Sequence, residues 1–422
     1  MGAKPLASAE TRRHRAESSA SPIALASLFI VAGIGLTPPV VAHLAGLEVL
    51  SWRANVAVWS ADLTCVAWGG LSLLLRRHRA LANVNLLLVS LALLVVGTEA
   101  ALRLNPELLG RQFATGVLSK YHMRPGGIYY YDPAVRMKFM IPNLTTTMYY
   151  NGYVWEHSTD ALGFRNRELM EPSDVVLLGD SMIYGHGVTF EDTLGHQLAR
   201  RTGLTVANLA RQADCFLHYA YLLAEYAPRF RPRHVVVFFT DNDISDLYGY
   251  RREEELRQFA ETPVSAIRYP QRLSVEAGLA QQAAKHRRGS LRKRLHESLY
   301  VVKIYDWIRF RLDHPRRVAM MKDPARIHNP NSLGWRYARK ALMYMKGVST
   351  AHLSRLTLVT LPSPDAEQCA VLHKTAEDLG IDHLDACHLW EANPSWFLPG
   401  DNHLSAVGDQ AMAALVAAHL HR

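Results

Sequence analysis

The sequence predicts an α/β protein, a parallel sheet covered on both faces by helices and preceded by membrane-spanning helices. Two observations carry this reading. From about residue 166 onward, short runs continuous in Val, Leu and Phe alternate with amphipathic stretches, and strands apolar on both faces belong to a buried parallel sheet. Three long apolar runs crowd the first hundred residues or so, and nothing later in the chain resembles them.

The 422 residues, 49% of them hydrophobic, suffice for a membrane segment and one globular domain of ordinary size. The apolar runs cover 23–47, 56–75 and 83–101. Each is near the roughly 20 residues that cross a bilayer. Pro38 and Pro39 interrupt the first, for which a cleaved signal peptide is the alternative, and Asp62 sits in the second. Asp62 reads as a polar residue near a span end or facing a neighbouring helix. Lys4, Arg12, Arg13 and Arg15 precede the first run, and Arg76, Arg77 and Arg79 fill the loop between the second and third. Arg53 stands alone in the other loop. The positive-inside rule then puts the N-terminus and the 76–80 loop in the cytoplasm and the chain beyond about residue 103 outside. The expected organisation is a membrane anchor of about three helices over 1–104, a β-rich preamble over 105–165 and the sheet domain over 166–422.

The preamble is rich in Tyr, Gly, Pro and Asn (GGIYYYDP, MIPNLTTTMYYNGYVW), a composition of short strands and turns. In the domain, strands are predicted at 175–178, 205–209, 234–239, 355–361 and 382–388, and helices at 191–202, 216–227, 365–379 and 405–420. Between 250 and 350 the alternation stops. About 22 Lys and Arg against about nine acids lie there, so this stretch accounts for the whole net charge of +9. It reads as a helical insertion, either a solvated face or a surface for anionic lipid headgroups or an acidic glycan. Nucleic acid is not an expected partner on the outer side of a membrane.

Of the four cysteines, Cys65, Cys215, Cys369 and Cys387, none forms a CxxC pair or stands at zinc-ligand spacing from a histidine, so no metal is expected. Cys369 and Cys387 flank a predicted helix-to-strand unit. Two buried thiols are the expected state there and a disulfide the alternative.

Ligands of parallel sheets sit at the carboxyl ends of the strands. The first strand runs straight into Gly179-Asp180-Ser181, placing a hydroxyl beside a helix N-terminus. The strand 234–239 ends in Thr240-Asp241-Asn242-Asp243, and the last strand is followed by Asp401-Asn402-His403-Leu404-Ser405. A serine, an amide and an acid–base pair thus converge on one edge. Each has a plainer reading: Asp180 and Asp401 as helix caps, Asn242 as a turn residue. His373, His383 and His388 read as packing or surface residues.

These blocks resemble the SGNH (GDSL) hydrolases: GDSMIYGHGV is similar to the family's first block, FFTDNDISD to the block with its asparagine, and GDNHLSAVGDQAMA to the terminal block. TDALGFR is similar to the lead-in of bacterial envelope members. The resemblance, over about 160–420, implies a three-layer α/β/α, flavodoxin-like domain that hydrolyses or transfers acyl esters without a cofactor. It implies Ser181 as nucleophile, His403 as general base and Asp401 as the acid that orients the base. The oxyanion would be held by the backbone N–H of Ser181 and Ala213 and the Asn242 amide. Ala213 stands where the family has glycine, and a left-handed backbone there costs an alanine about 1 kcal/mol or more. Asp401 precedes His403 by two residues rather than three, as in the polysaccharide-acetylating branch. The resemblance further implies a bacterial inner-membrane protein whose catalytic domain faces the periplasm. A glycan O-acyltransferase and a non-catalytic glycan-binding subunit are the competing functions.

Overall fold

The computed structural model describes residues 10–117, 127–287, 290–321 and 323–421. Lys4, Arg288 and Lys322, counted among the basic residues above, lie outside these. The chain forms two compact units, Met1–Val117 with Gln281–Trp307 and Leu118–Ala280 with Ile308–Arg422.

The first unit opens with helices α1 (Glu10–Gly35), α2 (Pro38–Leu44), α3 (Trp52–Leu74), α4 (Arg79–Leu104) and α5 (Arg111–Val117). Two of them, α3 and α4, are long and apolar enough to cross a membrane, and a third span results if the bent pair is counted as one. The segment Pro22–Gly35 and α2 meet at 78°. Pro38 and Pro39, at the start of α2, have no N–H to continue a helical ladder, so the break falls there. Small residues let α1 approach α3. A Cβ on Gly33 would come within 2.6 Å of the Asp62 carbonyl oxygen, and one on Gly69 within 2.5 Å of the Ile30 side chain. Asp62 is buried at this contact. Between α3 and α4, the Asn85 side-chain oxygen accepts from Trp68 Nε1 at 2.8 Å.

The preamble expected to be β-rich over 105–165 begins as helix in the first unit, through α5, and its residues 118–126 lie outside the described ones. In the second unit its Tyr- and Gly-rich part folds as two hairpins, β1 (Tyr129–Asp132) with β2 (Met137–Met140) and β3 (Thr145–Tyr150) with β4 (Tyr153–Ser158). The second turns on Asn151 and Gly152, both at positive φ (45° and 91°), the backbone that a two-residue hairpin connection demands. Five parallel strands follow: β5 (Val175–Leu178), β6 (Val206–Asn208), β7 (His234–Phe239), β8 (Arg355–Thr360) and β9 (Asp382–Asp385), in spatial order β6-β5-β7-β8-β9. This is the doubly wound 2-1-3-4-5 order of flavodoxin-like sheets, whose ligand crevice opens where the winding reverses, between the first and third strands.

The helices in chain order are α6 (Ser181–Tyr184), α7 (Leu194–Thr202), α8 (Phe216–Phe230), α9 (Asp243–Tyr250) and α10 (Glu253–Glu261). They continue with α11 (Val275–Arg287), α12 (Leu291–Ser298), α13 (Tyr300–Met321), α14 (Pro324–Ile327), α15 (Leu333–Ala351), α16 (Ala366–Leu379) and α17 (Ala406–Leu420). α7 packs with α17, and α8 with α15, covering the two faces of the sheet.

Two expectations need correction. The basic stretch 250–350 is not one insertion: its last part, α15, is the crossover helix between β7 and β8 that a parallel pair requires. Trp335, Ala338, Leu342 and Met345 recur at helical spacing on its buried face, each large side chain contributing about 2 kcal/mol by burial. Cys369 and Cys387, expected as thiols, are joined in a disulfide. The turn after β9 brings their Cα atoms to 6.4 Å, within bridging range.

Candidate active site

β5 is buried along its whole length and delivers Ser181 at its carboxyl end. Gly179 allows the tight exit, since a Cβ there would lie 2.5 Å from the Ile183 side chain. Asp180 caps the single turn of α6 by accepting from Met182 N at 2.9 Å, and its other oxygen accepts from Thr240 Oγ1 at 3.1 Å. The plain capping role therefore holds for Asp180.

It does not hold for Asp401. Ser405 caps α17, and Asp401 instead accepts hydrogen bonds from the backbone N–H (3.0 Å) and Nδ1 of His403. His403 Nε2 lies 2.8 Å from Ser181 Oγ. The structure thus brings Ser181, His403 and Asp401, up to 222 residues apart, into one hydrogen-bonded chain. Burial alone would raise Asp401, but the hydrogen bond and charge of His403, together with Asn151, hold its carboxyl well below the usual range.

Four residues that sequence reasoning missed hold this chain in place. Asn151, at the tip of the β3–β4 turn, donates Nδ2 to Asp401 Oδ2 at 2.9 Å and to the Gly400 carbonyl at 3.2 Å, and the Tyr153 hydroxyl donates to the Pro399 carbonyl at 2.6 Å. The His186 ring stacks on His403, with centroids 4.0 Å apart and planes at 19°, and is itself flanked by Tyr150 and Trp155. Arg165, in the TDALGFR stretch, is buried and donates to the carbonyls of Glu156, Tyr184, Gly185 and Val188, tying the hairpin to the loop that carries His186. The Asn-Gly pair signals a hairpin. Nothing local signals what its tip touches.

His186, Asp401 and His403 offer ligand atoms within 4.8 Å of one another. Both ring nitrogens of His403 are already engaged, one with Ser181 and one with Asp401.

The candidate oxyanion donors are less uniform. Ala213 adopts the left-handed backbone, φ 62°, that the sequence made costly, and its carbonyl accepts from the Tyr250 hydroxyl at 2.5 Å. Asn242 caps α9 by position, and its Nδ2 donates to Asp246 Oδ2 at 2.8 Å. The same side chain also hydrogen-bonds Asp180, so the amide sits between two carboxylates. Behind them lies a buried acidic network: Thr240 N and the Tyr219 hydroxyl donate to Asp243, at 3.0 and 2.8 Å. Burial raises Asp180 and Asp243, lifts Asp246 to about 6, and lifts Asp214 to about 7 against the pull of its partner Arg211.

A small pocket of about 30 Å³ is lined by Met182 and Asn402, chain neighbours of Ser181, Asp401 and His403, and by Thr240, Asp241, Leu361 and Trp390 among others. It shares Ser363, Pro364 and Trp390 with a larger cleft of about 610 Å³ that also carries Asp385, His388 and Glu391. A separate cavity of about 180 Å³ between Arg165 and His196 includes none of the triad.

Fold and site together define an α/β/α domain with a Ser-His-Asp chain at the carboxyl edge of its sheet. No family model matches the chain, and no curated protein does. Similar solved structures include TesA (11% identity, 58% of this chain and 97% of that one, TM-score 0.34). They also include a putative lipolytic protein of the G-D-S-L family from Desulfitobacterium hafniense (12%, 58% and 98%, 0.29) and the esterase EstA from Pseudoalteromonas sp. (10%, 59% and 97%, 0.33).

Proposed function

We propose that this domain is a serine ester hydrolase of the SGNH type, working through an acyl-serine intermediate. The observation that carries the proposal is the unbroken chain from Ser181 Oγ through His403 to Asp401. Ser181 Oγ attacks the acyl carbonyl while His403 Nε2 takes its proton. The oxyanion forms beside the N–H groups of Ser181 and Ala213 and the Asn242 amide. Collapse expels the alcohol, which receives the proton from His403. Water, deprotonated by the same imidazole, then attacks the acyl carbon and frees the carboxylic acid. Asp401 keeps the proton on Nδ1, leaving Nε2 as the base, and stabilises the imidazolium.

The narrow pocket lined by Met182 and Asn402, the chain neighbours of Ser181 and His403, supports a short acyl group such as acetyl. The cleft that shares Trp390 with it supports a sugar on the alcohol side, with an aromatic face and carboxylates to meet ring and hydroxyls. That cleft also favours a second reading, transfer of the acyl group to a glycan hydroxyl instead of water. The basic loop between α3 and α4 supports a catalytic domain on the outer side of the membrane.

The test is p-nitrophenyl ester turnover by the full chain in detergent, across acetate, butyrate and octanoate, for wild type and Ser181→Ala. The expected result is preference for acetate and a loss of roughly four orders of magnitude or more in kcat for the variant. Equal rates for the two proteins sink the proposal. Acyl product on an added glycan oligomer, formed only by wild type, favours transfer.

A further inference from the structure

Within the first unit, α12 is fastened at both ends to the same side of the spanning helices. Leu291, its first residue, packs against Ala42, Leu47 and Leu50 in the segment joining α2 to α3. Past its last turn, Arg103 of α4 donates to the Ser298 carbonyl at 2.7 Å, and the Val301 N–H donates to Glu99 at 2.9 Å. Leu102 and Phe113 pack there against Tyr300, Ile304 and Trp307. Trp68 and Ser72 of α3 both donate to Asn85 of α4 across the short loop 75–78, so the two helices run in opposite directions and the start of α3 and the end of α4 face the same side. α12 therefore lies across the ends of the spans, at the depth of lipid headgroups.

Its sequence suits that depth. From 285 to 294 the chain reads KHRRGSLRKR, six Lys and Arg with no acid, and three of them, Arg292, Lys293 and Arg294, belong to α12. Arg292 is exposed, and Leu295 exposes an apolar side chain on the same helix. Guanidinium groups meet phosphate oxygens bidentately, and a basic helix carrying an apolar side chain is the composition of an interfacial segment.

We propose that α12 binds the phosphates of anionic phospholipids and so fixes the basic segment against the bilayer surface. This rests on α3 and α4 spanning a membrane and is independent of the triad's chemistry. The test takes the full chain in mixed micelles, titrated with phosphatidylglycerol or phosphatidylcholine, with retained lipid counted by native mass spectrometry. Wild type is expected to prefer phosphatidylglycerol. Replacing Arg292, Lys293 and Arg294 together by alanine should cost at least about tenfold in that affinity. The exposed single change Arg292→Glu should cost several-fold, and Arg292→Lys should retain most of it. Equal retention of the two lipids by wild type, or unchanged retention in the triple alanine variant, overturns the proposal. So does a triple variant that loses binding to polygalacturonate, an acidic polysaccharide, while keeping phosphatidylglycerol. Lipid retention requires no turnover, so this outcome is separate from success or failure of the acyl-serine mechanism.

Discussion

Asn151 lies 250 residues from the carboxylate it holds, and its amide accounts for the Asp401 oxygen that His403 leaves open. A hydrogen bond to a charged acceptor contributes about 1.5–3 kcal/mol. Without it Asp401 is both less fixed and more basic. In Asn151→Ala, kcat should fall about tenfold with KM little changed, since the residue orients the base rather than binding the ester. The pH profile distinguishes this role from a general loss of structure. A more basic Asp401 takes up the proton of the Asp401–His403 pair more readily, which raises the pH at which the pair stops acting as a base. The acid limb of kcat/KM should move to higher pH. An unmoved limb with lowered stability would reduce Asn151 to a turn residue. Ala213 shows a different economy at the same scale: the backbone stays left-handed at φ 62° although the glycine that would make it free is absent. Strain of this kind persists where surrounding contacts over-determine the conformation, here the Tyr250 hydroxyl on the Ala213 carbonyl.

Among elements, α17 shows how a helix start sets the position of His403. Ser405 N donates to the Trp396 carbonyl at 2.7 Å, and Leu398 N to the His403 carbonyl at 2.8 Å, so the loop carrying Asp401 and His403 doubles back over the first turn. Gly408 makes that crossing possible, because a Cβ there would lie 2.1 Å from the Trp396 carbonyl oxygen. Gly408→Ala should therefore push the 396–404 loop away from α17, lowering both the melting temperature and kcat while far-UV circular dichroism stays that of a folded chain. Unchanged activity would mean that the loop holds His403 by other contacts. The strands β5 and β7, with α8 and α17, were legible in the sequence because aliphatic runs and helical spacing are local signals. α15 was not: its polar face carries Arg336, Arg339, Lys340 and Lys346, which merged it with the basic stretch before it, while its apolar stripe was the stronger structural cue. The three strand-end blocks stood out because each joins an aliphatic run to polar residues. The hairpin's contact with Asp401 left no trace, since a contact 250 residues away in sequence has no local periodicity.

For the whole molecule, charge distribution and sulfur chemistry bear on the same question of sidedness. Arg76, Arg77 and Arg79 lie between the two long apolar helices, which the positive-inside rule assigns to the cytoplasmic side. The proposed placement of the sheet domain is across the membrane from that loop, in a compartment where a disulfide persists, and Cys369–Cys387 is the bond such a compartment permits. A cytoplasmic domain would instead hold both cysteines reduced. The bridge closes a loop of 18 residues, worth about 3 kcal/mol in the chain-entropy account. Cys369→Ser should accordingly lower the melting temperature of the oxidised protein by several degrees, and reductant should do the same to wild type but not to the variant. In cells, a thiol reagent applied before lysis or reduction should leave Cys369 and Cys387 unmodified. A phosphatase reporter that works only outside the cytoplasm should be active when fused after residue 104 and silent after residue 77. Labelled cysteines together with a silent fusion at 104 would place the sheet domain in the cytoplasm. An active fusion with a protected pair would set the sheet domain, with its proposed esterase activity, on the outer face of the membrane.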